Sequence, residues 1–85
     1  MGSYRLLIKP SAVKEIEAIP KKDRARMVKR IQGLAENARP PGCEKLSAEE
    51  KYRLRQGWSR IVYSIDDQAQ EVLIVKVAHR RDVSR

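Results

Sequence analysis

The stretch that decides the fold runs from residue 51 to residue 79, KYRLRQGWSRIVYSIDDQAQEVLIVKVAH. Apolar and polar residues alternate along most of it, which is the period of a half-buried strand. Gly57 interrupts the pattern once, and Asp66-Asp67-Gln68-Ala69-Gln70 interrupts it again. The stretch therefore reads as three strands, over residues 51–56, 60–66 and 71–79. Connections this short permit only antiparallel pairing, so the three strands form a meander.

Towards the N-terminus the period changes. Residues 4–9 (YRLLIK) read as a strand stopped by Pro10, and Ser11 is the expected N-cap of a short helix over 12–19. Val13, Ile16 and Ile19 fall at helical spacing there, and Pro20 ends the segment. A longer helix is expected over 21–38, with Met27, Val28, Ile31, Leu34, Ala35 and Ala38 on one stripe. Gly33 weakens it by up to about 1 kcal/mol relative to Ala. Residues 39–50 read as a loop with a short strand near Lys45-Leu46. The expected fold is α+β: an N-terminal strand, an antiparallel two-helix hairpin and a three-stranded antiparallel meander. The helices have one apolar stripe each, so they cover one face of a small twisted sheet and leave the other open.

At 85 residues the chain allows a single domain over 1–85. A domain of this size buries only about 60% of its unfolded surface, so nearly every apolar residue is needed for the core. Hydrophobic residues at 41% and charged residues at 35% indicate a globular chain. No apolar run approaches the roughly 18–20 residues of a membrane span, and the N-terminal one is too short for a signal peptide. No membrane association and a cytoplasmic location are expected. Cys43 is the single cysteine and His79 the single histidine, so one protomer can form neither an internal disulfide nor a Cys/His zinc site. No cofactor is expected. A Cys43–His79 nucleophilic pair has the right residue types but no supporting signature. The chain contains no P-loop, no dinucleotide-binding glycine motif and no serine elbow.

Charge is the strongest functional signal. Nineteen Lys+Arg against eleven Asp+Glu give +8, and arginine outnumbers lysine, which suits bidentate recognition of phosphate or carboxylate. A polyanionic partner, either nucleic acid or an acidic protein, competes here with a surface kept basic for solubility. Strand parity sharpens the choice. Tyr52 and Leu54 share one face, as do Ile61, Tyr63 and Ile65; in the last strand Leu73, Val75 and Val77 are taken as the core set, with His79 on their parity as a structural histidine. The opposite face then collects Lys51, Arg53, Arg55, Arg60, Lys76 and Arg80. Long side chains lying over a half-buried sheet would give the same composition, and a bulge near Trp58-Ser59 would flip Arg60. Such a face lacks acid–base carboxylates, but guanidinium groups can bind phosphate and stabilise charge on a pentavalent phosphorus. Lys51, crowded by arginines, is the candidate base. That set suits RNA cleavage, where the substrate's 2′-OH is the nucleophile.

The segments 51–63, KYRLRQGWSRIVY, and 77–83, VAHRRDV, together with the Pro-Pro-Gly-Cys-Glu-Lys-Leu loop before them, resemble the RelE/ParE superfamily of bacterial and archaeal toxins, RelE branch. The resemblance spans essentially the whole chain. It implies the toxin of a type II toxin–antitoxin pair: an endoribonuclease that cleaves mRNA in the ribosomal A site through the 2′-OH, without a metal. By position, Lys51 and Arg53 would bind and polarise the scissile region, Arg60 would stabilise the transition-state phosphate, and Arg80 would assist the leaving 5′-oxygen. Arg55, Arg81, Ser84 and Lys45 would be substrate contacts. The family commonly has Tyr where Ser84 stands, and a hydroxyl cannot stack on a base. Either the activity is attenuated or another aromatic, such as Trp58, substitutes. The implied partners are an acidic antitoxin, the ribosome and mRNA, with operator DNA reached only through the antitoxin complex. The antitoxin would cover Val62, Ile74 and Ala78. A ParE-like inhibitor of DNA gyrase and a catalytically weakened binding member are the alternatives.

Overall fold

The computed structural model describes residues 3–46 and 51–79. The chain runs β1 (Arg5–Ile8), α1 (Pro10–Glu17), α2 (Lys21–Gly33), β2 (Cys43–Lys45), β3 (Lys51–Gln56), β4 (Ser59–Asp66) and β5 (Glu71–His79). The strands make one five-stranded sheet in the order β1-β5-β4-β3-β2. The meander expected from residues 51–79 is present, with β3, β4 and β5 antiparallel. β1 adds to β5 in parallel, Arg5 opposite Glu71 and Ile8 opposite Ile74. The fifth strand, β2, pairs with β3 as Cys43↔Leu54, Glu44↔Arg53 and Lys45↔Tyr52.

Both helices pack on one face. Ala12, Ile16, Ile19, Met27, Ile31, Leu34 and Ala38 bury against Tyr52, Leu54, Ile61, Tyr63, Ile65, Val72, Ile74 and Val77. Within α1 the buried positions are Ala12 and Ile16, while Val13 is exposed. The helix begins at Pro10, not after a Ser11 cap, because proline at the first helical position has no N–H to leave unsatisfied. α2 ends at Gly33, five residues short of the expected 38. The N–H of Tyr4 donates to the Ala35 carbonyl at 2.7 Å, so the N-terminal segment takes an acceptor that a longer helix would have used.

The parity of β5 differs from the sequence reading. Pairing with β4 runs Ile61↔Val77 and Val62↔Lys76, then jumps to Tyr63↔Ile74, so Val75 has no opposite residue. This bulge flips everything before it. Val72 and Ile74 are therefore fully buried under the helices, and Leu73 and Val75 are not core residues. Val77 and His79 lie beyond the bulge and keep their expected side. Ile74 consequently cannot be part of an apolar surface for a partner. No irregularity falls at Trp58-Ser59, where Gln56↔Ser59 and Arg55↔Arg60 pair in register.

Candidate functional site: the basic face of the sheet

The face away from the helices is built by residues that strand pairing places in rows. One row crosses β2 to β5 as Glu44, Arg53, Val62 and Lys76; the next holds Arg55, Arg60 and Ala78; Lys51 stands opposite Ser64. Arg55 and Arg60 are exposed and face each other directly across the β3–β4 pair. Like charges so placed destabilise a sheet unless a counter-charge joins them. The β3–β4 turn is only Gly57-Trp58, and φ is positive at Gly57 alone (59°), the pattern of a type II′ turn that matches strand twist. A tight hairpin thus fixes the two guanidinium groups on regular backbone.

Two of the cations have built-in counter-ions that sequence parity did not reveal. Arg53 Nη2 donates to Glu44 Oε1 at 2.6 Å, and the arginine holds the Glu44 carboxyl below its ordinary range. Arg53 Nε is buried without a partner among the described residues. Lys76 Nζ lies 3.2 Å from Glu15 Oε2, which reaches over from α1. Both glutamates are distant from their partners in sequence, and no local pattern signals them. Lys45 does not join the face: it pairs with Tyr52, so register puts it on the opposite side at the sheet edge. Arg80, Arg81 and Ser84 lie outside the described residues.

A second network braces the same strands from the helix side. Arg39, in the loop before β2, donates from both Nη atoms to Asp67, at 3.3 and 3.0 Å, and from Nε to the Tyr52 hydroxyl at 3.1 Å. Its guanidinium lies 5.2 Å from the Tyr52 ring centroid. Tyr4 donates its hydroxyl to Asp67 at 2.8 Å. Arg39 and Tyr4 hold the Asp67 carboxyl below its ordinary range, while Asp67 raises Tyr4. Tyr63 stacks on Tyr52 and donates to the Ala38 carbonyl at 2.8 Å; burial pushes its hydroxyl well above the usual range. His79 is 5% exposed, with Nε2 3.2 Å from Asp23 Oδ2. Among the described residues, no group of three His, Cys, Asp or Glu side chains is placed to hold a metal ion. No helix among them is long and apolar enough to cross a membrane.

A family model described as the ParE toxin of the type II toxin–antitoxin system parDE matches residues 6–83. The chain belongs to this family. The toxin is also similar in structure to the RelE side of the superfamily. It matches the toxin–antitoxin complex RelBE2 from Mycobacterium tuberculosis with a TM-score of 0.82 and 26% identity, covering 92% of each chain. It matches the archaeal RelE–RelB complex from Pyrococcus horikoshii at TM-score 0.79 and 24% identity, over 92% of this chain and 96% of that one. Isolated E. coli RelE matches at TM-score 0.80 and 20% identity, over 91% and 84%. At these last two identities the likeness is one of fold. No curated protein matches the toxin by sequence at comparable significance. The RelE/ParE membership expected from residues 51–63 and 77–83 holds, as does the α+β fold expected from the periodicity of the chain.

Proposed function

We propose that the toxin is an mRNA endoribonuclease of the RelE type, acting on the ribosome. One observation carries this reading: Arg55 stands directly opposite Arg60 on an exposed face that Lys51 and Arg53 share. In the proposed reaction Lys51 takes the proton of a substrate 2′-OH. The resulting oxyanion attacks the adjacent phosphorus, the P–O5′ bond breaks, and the 5′-oxygen takes a proton from solvent, leaving a cyclic phosphate and a 5′-hydroxyl. Arg53 and Arg60 stabilise the charge on the equatorial oxygens, and Arg80 assists the leaving oxygen. Arg55 and Arg81 hold flanking phosphates, and the Ser84 hydroxyl contacts the substrate without stacking. The RelB-containing complexes among the structural matches support an antitoxin as partner. An acidic segment would compete for the same arginines.

The test is purified toxin on ribosomes programmed with a defined mRNA, with cuts mapped by primer extension. Cuts within A-site codons that disappear in Arg60→Ala are expected. Intact mRNA would overturn the reading. The matching family model is described by its ParE toxin, which favours inhibition of DNA gyrase as a second reading. A supercoiling assay separates the two: inhibition with intact mRNA selects gyrase.

A further inference from the structure

Trp58, the single tryptophan of the chain, is 65% exposed at the β3–β4 turn. Beside it lies a cleft of about 130 Å³ lined by Asp23, Arg26, Gly57, Trp58, Ser59 and His79. The cleft is well below the ~300 Å³ at which pockets for drug-sized ligands begin. Its walls are of three kinds. The indole gives a flat apolar surface, Arg26 a cation, and Asp23 and Ser59 polar groups that can meet the edge of a planar ring. His79 closes the floor and ties Asp23 in place at 3.2 Å. Trp58 is two residues from Arg60, so the cleft opens at the end of the sheet where the Arg55–Arg60 pair sits.

From this juxtaposition we propose that the Trp58 cleft is a binding site for one unpaired base of single-stranded RNA, stacked on the indole with Arg26 beside its phosphate. The inference rests on the ribonuclease reading and deepens it. Every base has a π-face, so stacking on an indole adds affinity with little sequence preference. The base lies around the hairpin tip from the scissile phosphate. Substrate is then gripped on both sides of the β3–β4 hairpin, which compensates for the hydroxyl at Ser84. An aromatic side chain of a protein partner is the competing occupant. The polar edge groups together with a cation favour a nucleotide.

With a single tryptophan, fluorescence excited beyond the absorption band of the three tyrosines reports this site alone. The probe is a mixed-sequence 2′-O-methyl RNA decamer, which lacks the attacking hydroxyl, titrated into the full chain while fluorescence anisotropy of an end label follows total binding. Quenching of Trp58 in step with anisotropy is expected, with polyphosphate of similar charge binding without quenching. Trp58→Ala should weaken decamer binding roughly tenfold, Trp58→Phe much less, and neither should change polyphosphate affinity. Decamer binding without quenching, or equal quenching by polyphosphate, overturns the base site and leaves the ribonuclease reading standing. Quenching by poly-glutamate but not by RNA assigns the cleft to a protein partner and also overturns it. A decamer that does not bind at all overturns the base site, while the ribonuclease reading stands or falls with the cuts on programmed ribosomes.

Discussion

Glu44 and Arg53 face each other across β2 and β3 with 2.6 Å between carboxylate and guanidinium. The pair lies on the open face, where a phosphate would have to displace the carboxylate to reach Arg53. Glu44 thus acts as an internal competitor for substrate. Glu44→Gln should raise affinity for single-stranded RNA a few-fold. It should also steepen the dependence of log K on log salt by about 0.7, the contribution of one more phosphate contact on a single strand. Filter binding at several salt concentrations measures both, and an unchanged slope would mean that Arg53 does not meet phosphate.

The Glu15–Val77 contact explains how β5 can be bulged and still carry the basic face. β1 ends at Ile8 opposite Ile74, so among the described residues no strand lies along the outer edge of β5 beyond that point. Glu15 Oε1 accepts the Val77 N–H at 2.7 Å there, and Oε2 meets Lys76. Glu15→Ala leaves a part-buried N–H unpaired and should cost about 1–3 kcal/mol. That corresponds to a drop of roughly 4–8 °C in Tm per kcal/mol for a domain this small. Glu15→Gln keeps an acceptor oxygen and should lose less. Thermal unfolding of both variants tests the assignment; equal losses would mean that charge, not the N–H bond, is what matters.

How much of this was legible in the sequence follows from where alternation was unambiguous. In KYRLRQ and RIVYSID one parity is plainly apolar and the other polar, so Tyr52, Leu54, Ile61, Tyr63 and Ile65 could be assigned to the core and Arg53, Arg55 and Arg60 to the open face. In EVLIVKVAH both parities are apolar before Lys76, and nothing marks Val75 as the extra residue. The period therefore gave the wrong set for Leu73 and Ile74. The short strand expected near Lys45-Leu46 is present as β2, but nothing in the sequence sets its pairing register, so Lys45 was grouped with arginines from which register separates it. The glutamates that pair with Arg53 and Lys76 come from a different strand and a different helix. Local patterning carries no information about such partners.

Asp67 sets the pH response of the bracing network. Its carboxyl is held below the ordinary value of 3.8, chiefly by hydrogen bonds from Arg39 and then from Tyr4. A depressed folded-state pKa contributes stability that is present above the unfolded value and lost as pH falls through the folded one. Asp67→Asn should therefore melt below wild type at pH 7. The gap should close as the pH falls below about 4. Melting curves from pH 7 to pH 2.5 check the sign; a gap that widens in acid would contradict it.

The Arg55–Arg60 pair sets function against stability in one measurable place. Directly opposed like charges cost a sheet about 0.2–1 kcal/mol. Among the described residues neither arginine forms an ion pair, in contrast to Arg53 and Lys76, and the one carboxylate whose charge reaches Arg55, Glu44, is already bridged to Arg53. Arg60→Gln keeps the length and polarity of the side chain while removing one charge. It should raise Tm by up to a few degrees and at the same time reduce cleavage of ribosome-bound mRNA about 10²–10³-fold, the usual effect of deleting one donor to a developing oxyanion. Adding polyphosphate should stabilise wild type more than Arg60→Gln, because the anion relieves a repulsion that the variant lacks. A variant that is both less stable and less active would show that Arg60 holds the hairpin together and is not kept charged for a phosphate.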